Sequence, residues 1–166
     1  MSQAFVKEPD GDAVADDQPE LPISRHANYV TPEGLAQLKA SLAGFQDKRR
    51  ELDEDNLLNK LPLSQIGREI RYFEARINQA ILVDLSRQPP GEVAFGAAVA
   101  AEDEDGETKT YRIVGEDEAD PDMGKVSWVS PLAKAMLDAR VGDLVIWERP
   151  TGELELEIIS ITYPKT

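Results

Sequence analysis

The chain has 166 residues, enough for one ordinary domain or for one small domain with an extension. Its formal net charge is -14, from 18 basic and 32 acidic residues, and this acidity opposes independent binding to the phosphate backbones of DNA or RNA. The absence of cysteine excludes disulfides and thiolate zinc sites, and no apolar stretch approaches membrane-spanning length. We therefore expect a cytoplasmic protein that would need a protein partner to work near nucleic acid.

The first 27 residues have the composition of a disordered acidic tail. Residues 1–24 carry one basic and six acidic side chains and little apolar surface. The short element AFVKE at residues 4–8 could dock on a partner, although this composition favours a solvated tail. His26, the single histidine, has no Ser or Cys partner nearby in the sequence, so we expect it on the surface.

Residues 28–86 have the pattern of an antiparallel coiled-coil hairpin of two helices. Thr31 is a good N-cap, Pro32 suits the first helical position, and Glu33 favours the positive helix start. Apolar residues then recur at alternating spacings of three and four in two seams, which comprise Leu35, Leu38, Leu42, Phe45, Arg49 and Leu52, and then Ile66, Ile70, Phe73, Ile77 and Ala80. Each seam is one narrow stripe, so the hairpin should project from another unit or pack against one.

The turn of this hairpin combines carboxylates with leucines. Asp53, Glu54 and Asp55 could donate to a divalent metal or act on a metal-bound water, or they could be a solvated acidic run that ends the helix. The leucines of residues 57–63 crowd around Pro62, which should break or kink a helix. These leucines are either buried as turn packing or exposed as a binding tip, and the sequence leaves both possibilities open.

Residues 92–163 predict an antiparallel sheet with one short helix, which makes the fold class α+β. Ser130 and Pro131 open the helix by the same cap-and-proline logic, and Asp105-Gly106 is a hairpin turn signal. The acidic run 102–107 lacks the ligand spacing of an EF-hand, so a charged turn is expected there. Strand-like patterns cover residues 93–99, 111–114, 126–129, 144–147 and 154–161.

A second acidic run, residues 116–120, lies between Gly115 and Pro121. Because it precedes Ser130 and Pro131 closely in the sequence, the two stretches together could form a surface for a basic partner.

Several phrases, taken in order, resemble the Gre family of bacterial transcript-cleavage factors. They are YVTPEGL at 29–35, VAFGA at 93–97, YRIVGEDEAD at 111–120, VSPLAKA at 129–135, VGD at 141–143 and EI at 157–158. The likeness covers about residues 28–163 and is stronger over the last eighty residues than in the hairpin. The run of phrases in fixed order is specific, whereas any one phrase would not be.

The resemblance implies an N-terminal antiparallel coiled coil followed by an FKBP-like domain. It implies a transcription elongation regulator that binds core RNA polymerase at the rim of the secondary channel and modulates backtracked or paused complexes. The residues that match the docking region are Asp117, Glu118, Asp120, Ser130 and Pro131. Such a factor is an accessory protein, expected as a monomer, with no cofactor or metal of its own, and it acts with the Mg²⁺ of the polymerase active site.

The likeness is weakest at the hairpin turn. The family's tip reads Gly-Asp-Leu and then Glu-Asn-Ala, whereas residues 51–64 here read ELDEDNLLNKLPLS, and the hairpin is shorter. Asp53, Glu54 and Asp55 match no family motif, so polymerase binding carries over better than cleavage stimulation. One alternative is an inhibitory homologue that occupies the channel without stimulating cleavage. An alternative of another class is an FKBP-like prolyl isomerase or chaperone, whose aromatic-lined pocket would have to come mainly from Trp128 and Trp147.

Overall fold

The computed structural model describes residues 18–165, which divide into two compact units. The first unit contains residues 18–25 and Lys39–Asn78, and the second contains His26–Leu38 and residues 79–165. The first seventeen residues of the predicted tail, with the AFVKE element, lie outside the described residues. The unit limits differ from the predicted hairpin limits of 28 and 86, because the start of the first helix, up to Leu38, belongs to the sheet unit.

Two helices of equal length make up most of the hairpin. Helix α1 spans Pro32–Glu51, helix α2 spans Lys60–Gln79, and a short 3₁₀ turn, Leu57–Asn59, lies between them. The ring of Phe45 on α1 stacks on the ring of Phe73 on α2, with centroids 5.8 Å apart and planes 21° apart. This contact requires α2 to fold back along α1, as the two predicted seams indicated.

Pro62 lies in the first turn of a helix and does not break it, so that prediction is wrong. It is the third residue of α2, in the first turn, where backbone N–H groups have no acceptor within the helix. The missing N–H of proline therefore removes no helical hydrogen bond, and its fixed φ angle favours the helical conformation.

The predicted disordered tail is too long at its C-terminal end. Arg71 of α2 donates two hydrogen bonds to the carboxylate of Glu20, at 2.9 and 2.7 Å. Arg68 donates to the backbone oxygen of Pro19 at 3.1 Å. Residues 18–25 are therefore fixed within the hairpin unit by contacts to α2, which composition alone does not reveal.

In the second unit, a small parallel strand pair links two distant parts of the chain. Strand β1, Tyr29–Val30, pairs with strand β2, Ile81–Leu82, so that Tyr29 faces Ile81 and Val30 faces Leu82. These strands immediately precede α1 and follow α2 in the sequence.

The rest of the second unit contains a five-stranded sheet and a short helix. The elements are β3 Ala98–Glu102, β4 Thr108–Val114, β5 Lys125–Ser127, helix α3 Pro131–Met136, β6 Leu144–Arg149 and β7 Gly152–Thr162. The strand order in the sheet is β5-β4-β3-β7-β6. The pairs β4–β3, β3–β7 and β7–β6 are antiparallel, whereas β4 and β5 are parallel. The sheet is therefore mixed and not wholly antiparallel as predicted, although the α+β class is confirmed.

The first strand of this sheet begins five residues later than the predicted start at Val93. Val93 is fully buried, but its N–H bonds to the oxygen of Ala139 in a connection. Gly96 has a φ of 88°, and Ala97 N bonds to Ala94 O, so a turn separates Val93 from the strand. At Val93 the apolar pattern therefore reflects burial outside the sheet, whereas Gly96 and Ala97 already exchange backbone hydrogen bonds with Ile113 of β4.

One face of the sheet packs against α3 to form the core of this unit. Trp128 and Trp147 are half-buried and pack against this core, near the position expected for them. The buried residues at its centre are Val93, Ala97, Val99, Ile113, Leu132, Met136, Leu156 and Ile158.

Candidate functional site

The acidic stretch that the sequence singles out forms the connection between β4 and β5. A turn at its start bonds Glu118 N to Gly115 O at 3.2 Å, and a left-handed Gly124, with φ 71°, closes a 3₁₀ turn at its end. Gly115 is required by close approach, because a Cβ at that position would lie 2.4 Å from the backbone oxygen of Tyr29. The connection is thus held against the chain segment that leads into α1, within the same unit.

Glu118 is buried, which corrects its prediction as a docking residue on the surface. Its side chain is 2% exposed and accepts a 2.5 Å hydrogen bond from the hydroxyl of Thr31. The ammonium of Lys125 lies 3.8 Å from its other carboxylate oxygen. Thr31 also accepts from Gly34 N at 2.9 Å, which confirms it as the N-cap of α1. Glu118 therefore fixes the start of α1 to the connection and is not available to a partner.

A second carboxylate completes this group of charges. Glu33 accepts from Arg112 at 2.7 Å and lies 3.5 Å from the ammonium of Lys125. The hydrogen bond from Arg112, helped by the charge of Lys125, lowers the pKa of Glu33 below its ordinary value. The start of α1 is therefore held to β4 and β5 by two carboxylates and two cations, and the rest of the acidic connection is positioned by this network.

The remaining predicted docking residues are accessible. Asp117 and Asp120 are exposed, and Asp120 is fixed by two backbone hydrogen bonds to Lys125, at 2.9 and 3.0 Å. Ser130 is half-buried and caps α3 by accepting from Ala133 N at 3.3 Å, and Pro131 is exposed at the first helical position. The structure therefore leaves four of the five residues available to a partner.

An apolar groove of about 710 Å³ lies beside the helix start. Most of the exposed lining is apolar, and Ser130 and Pro131 contribute to it together with Tyr111, Pro121, Met123, Val126, Leu132 and Trp147. One cation, Lys109, and one carboxylate, Asp122, also line it. Met123 is 72% exposed, an unusual value for a large apolar side chain. The groove was not predicted from the sequence, although Pro121 and Gly124 are residue types that mark a turn at this position.

Trp128 does not line this groove, contrary to its expected place in an aromatic pocket. Its ring contacts the rings of Tyr29, at 5.0 Å between centroids, and His26, at 5.9 Å. His26 is exposed, as predicted, and makes this edge-to-face contact.

The carboxylates at the hairpin turn are exposed but do not form a metal site. One oxygen of Asp53 accepts the N–H of Asp55 at 3.0 Å, so that carboxylate serves to shape the turn. Across residues 18–165, no group of three or more His, Cys, Asp or Glu side chains is arranged to hold a metal ion. Asp53, Glu54 and Asp55 therefore do not fit Mg²⁺ as a set of ligands supplied by this chain alone.

Comparisons with known proteins identify the class to which this architecture belongs. The family model described as "Transcription elongation factor, GreA/GreB, C-term" matches residues 88–163, which include the groove and the acidic connection. Transcription elongation factor GreB of Neisseria meningitidis serogroup B is 36% identical over 155 residues, covering 83% of this chain and 95% of that protein. Transcription elongation factor GreA of Desulfovibrio desulfuricans is 36% identical over 152 residues, covering 86% of this chain and 94% of that protein.

The chain belongs to the GreA/GreB family and is a Gre-type transcription elongation factor. A solved structure titled prokaryotic transcription elongation factor GreA/GreB from Nitrosomonas europaea is 21% identical, with a TM-score of 0.42 and coverage of 84% of this chain and all of that one. The assignment rests on the sequence relatives. In the part of the chain that the structure describes, no helix is long and apolar enough to cross a membrane.

Proposed function

We propose that this chain binds core RNA polymerase at the rim of the secondary channel and modulates backtracked or paused elongation complexes. The sheet unit would supply the docking surface, and the hairpin would reach into the channel. The protein would act as a monomeric accessory factor, without a cofactor of its own. Family membership supports a polymerase partner.

The observation that carries the proposal is the pairing of an apolar groove with exposed acids on one unit. The groove offers Met123, Pro131 and Trp147 for apolar contact, and Asp120 directly precedes the Pro121–Met123 turn that lines it. A surface of this kind fits a basic, partly apolar element of a protein, because apolar burial supplies affinity while charge complementarity supplies orientation and association rate. The same acids disfavour direct contact with nucleic acid.

We further propose that the chain regulates polymerase without supplying the metal-binding carboxylates of transcript cleavage. Catalytic metal chemistry needs carboxylates held within a few tenths of an ångström of the required geometry. Here one carboxylate oxygen of Asp53 is engaged by the backbone of Asp55, and the turn carries leucines beside the acids. We therefore assign no metal-dependent step to this protein, and occupation of the channel is the favoured mode of action.

The test is binding of the full-length chain to core RNA polymerase, followed by RNA cleavage in a stalled complex. The variant Asp117→Lys with Asp120→Lys should weaken binding about tenfold and reduce its dependence on salt, since two attractive charges become repulsive. The matched control is Asp103→Lys with Asp105→Lys, which reverses two charges in the β3–β4 hairpin of the same unit. Equal affinity of both variants and the unmodified chain would refute the docking surface.

In the stalled complex, we expect no shortening of a labelled transcript, and competition with a cleavage-competent family member. Strong shortening that is lost in the variant with Asp53→Ala, Glu54→Ala and Asp55→Ala would show instead that these residues act in cleavage.

A second candidate function rests on the aromatic rings of the groove. Tyr111 and Trp147 lie 6.4 Å apart between centroids in an edge-to-face arrangement, and both line the groove. Such a pair could hold a proline side chain, as a prolyl isomerase or chaperone requires. Isomerisation of a proline-containing peptide that is abolished by Trp147→Ala would favour this function, and absence of acceleration would favour polymerase docking.

A further inference from the structure

The distal turn of the hairpin presents leucines to solvent. Leu57 is 74% exposed, Leu58 is 85% exposed and Leu61 is 46% exposed. The sequence left open whether this cluster is buried or exposed, and these values show that the three side chains are exposed. Three neighbouring leucines on a turn form an apolar patch, which on a protein surface usually marks a site of interaction.

Hydrogen bonds within the turn hold these leucines in place. The side chain of Asn56 accepts from Leu58 N at 3.0 Å. The backbone oxygen of Asp53 accepts from Asn56 N at 3.2 Å and from the side chain of Asn59 at 3.0 Å. A turn that is already ordered loses little conformational entropy when it binds. Most of the free energy gained by burying the leucines would therefore contribute to the affinity.

The charges beside the leucines restrict what can bind them. Asp53, Glu54 and Asp55 are all exposed. The nearest basic residues in the sequence are Lys60, at the start of α2, and Arg50, whose guanidinium is already paired with the carboxylate of Asp47 at 2.7 Å. A phosphate backbone or an anionic surface would be repelled by this acidic border. An apolar groove of a protein, bordered by Lys or Arg side chains, is complementary to both parts of the surface.

We propose that Leu57, Leu58 and Leu61 form an apolar binding tip that inserts into a groove of RNA polymerase bordered by basic side chains. This proposal rests on the proposed function and adds a second contact to it, because the hairpin would bind through apolar burial at its tip. Asp53, Glu54 and Asp55 would contribute by orienting the tip toward the basic border. The tip is distinct from the docking surface of the sheet unit, so the two can be tested separately.

The test compares two variants of the full-length chain in binding to core RNA polymerase. Leu57→Ser with Leu58→Ser removes the two most exposed leucines, and Leu144→Ser with Ile146→Ser removes two apolar side chains of β6 that are 63% and 52% exposed. We expect the tip variant to bind at least about tenfold more weakly, since two leucines lose their burial. The control variant should bind within about twofold of the unmodified chain, and matching thermal unfolding would verify that both remain folded.

Crosslinking identifies the chemistry of the partner surface. The chain has no cysteine, so Leu58→Cys provides one attachment point for a photoreactive crosslinker. Attachment to a polymerase segment that contains apolar and basic residues is the expected result, and attachment to RNA would overturn the proposal. If the unmodified chain does not bind polymerase, the proposed function fails and this inference with it. If the unmodified chain and the tip variant bind equally, the tip inference alone fails.

Discussion

Replacement of Thr31 by Val should destabilise the sheet unit more than the loss of an ordinary helix cap. The hydroxyl of Thr31 accepts from Gly34 N at 2.9 Å and donates to the carboxylate of Glu118 at 2.5 Å. Thr31 is fully buried, and the side chain of Glu118 is 2% exposed, so water cannot replace the lost donor. Valine preserves the shape of threonine and removes only the hydroxyl.

The expected loss follows from the two bonds. Removing an N-cap hydroxyl costs about 1 kcal/mol of stability. Removing a hydrogen bond to a charged group costs about 1.5–3 kcal/mol, and here it leaves a buried carboxylate with one fewer donor. The sum is roughly 2.5–4 kcal/mol, which should lower the Tm of the unit by about 10 °C or more.

The assay is urea unfolding followed by tryptophan fluorescence. Both tryptophans, Trp128 and Trp147, pack against the core of the sheet unit, so the signal reports this unit. Ser130→Ala is the matched control, because it removes the cap of α3 without involving a buried carboxylate, and it should cost about 1 kcal/mol. Thr31→Ser keeps both bonds and should retain most of the stability.

Equal losses for Thr31→Val and Ser130→Ala would refute the reasoning, because the contact between Thr31 and Glu118 would then add nothing to a simple cap. A loss in Thr31→Ser as large as in Thr31→Val would refute it in another way, since the methyl group and not the hydroxyl would then be responsible.

Two further predictions concern titrating groups of the sheet unit. Tyr163→Phe should cost about 1–3 kcal/mol in the same assay, since the phenol donates to Glu92 O at 2.5 Å and accepts from Ala94 N at 3.0 Å. Burial raises the pKa of Tyr163 above its ordinary 10.0, so stability should fall as pH rises beyond about 10, and this fall should be smaller in Tyr163→Phe. The pKa of Glu33 is lowered by Arg112, so its contribution should be complete above pH 4.5 and decline as pH falls further, which a shrinking difference in urea midpoint between the unmodified chain and Glu33→Gln would reveal.

The sequence was sufficient to predict the cap of α1 but not the burial of Glu118. The Thr31-Pro32-Glu33 start of α1 is specified by residues adjacent in sequence, and the structure confirms the cap. The partner of Thr31 lies 87 residues away, so no local pattern could indicate that Glu118 is buried. A charged residue in an acidic run is predicted to be exposed, because nothing nearby in the sequence indicates the donor Thr31 and the cation Lys125 that accompany its burial.

The parallel direction of β5 and the groove could not be predicted either, because both depend on which distant elements the fold brings together. The sequence predicted an antiparallel sheet, but the connection through Pro121–Met123 brings β5 back parallel to β4. Tyr111, Met123 and Trp147 come from three separate elements, and only the fold brings them to one groove. By contrast, the α+β class follows from periodicity, because a switch from spacings of three and four to alternation marks the change from helix to strand.

The strand pair β1–β2 has a consequence for how the length of the hairpin can change. Because Tyr29 pairs with Ile81 and Val30 with Leu82, the two chain segments that flank the hairpin are fastened to each other within the sheet unit. The hairpin between them behaves as an insertion with anchored ends, so residues can be removed from both arms without moving the anchors.

Deleting seven residues from each arm would keep the helical faces in phase and shorten the hairpin by about 10 Å. Hairpins of different lengths could therefore be exchanged between relatives while the β1–β2 pair stays unchanged. If the proposed function holds, such a series would vary how far the hairpin turn reaches into the polymerase channel, in steps set by the number of residues removed.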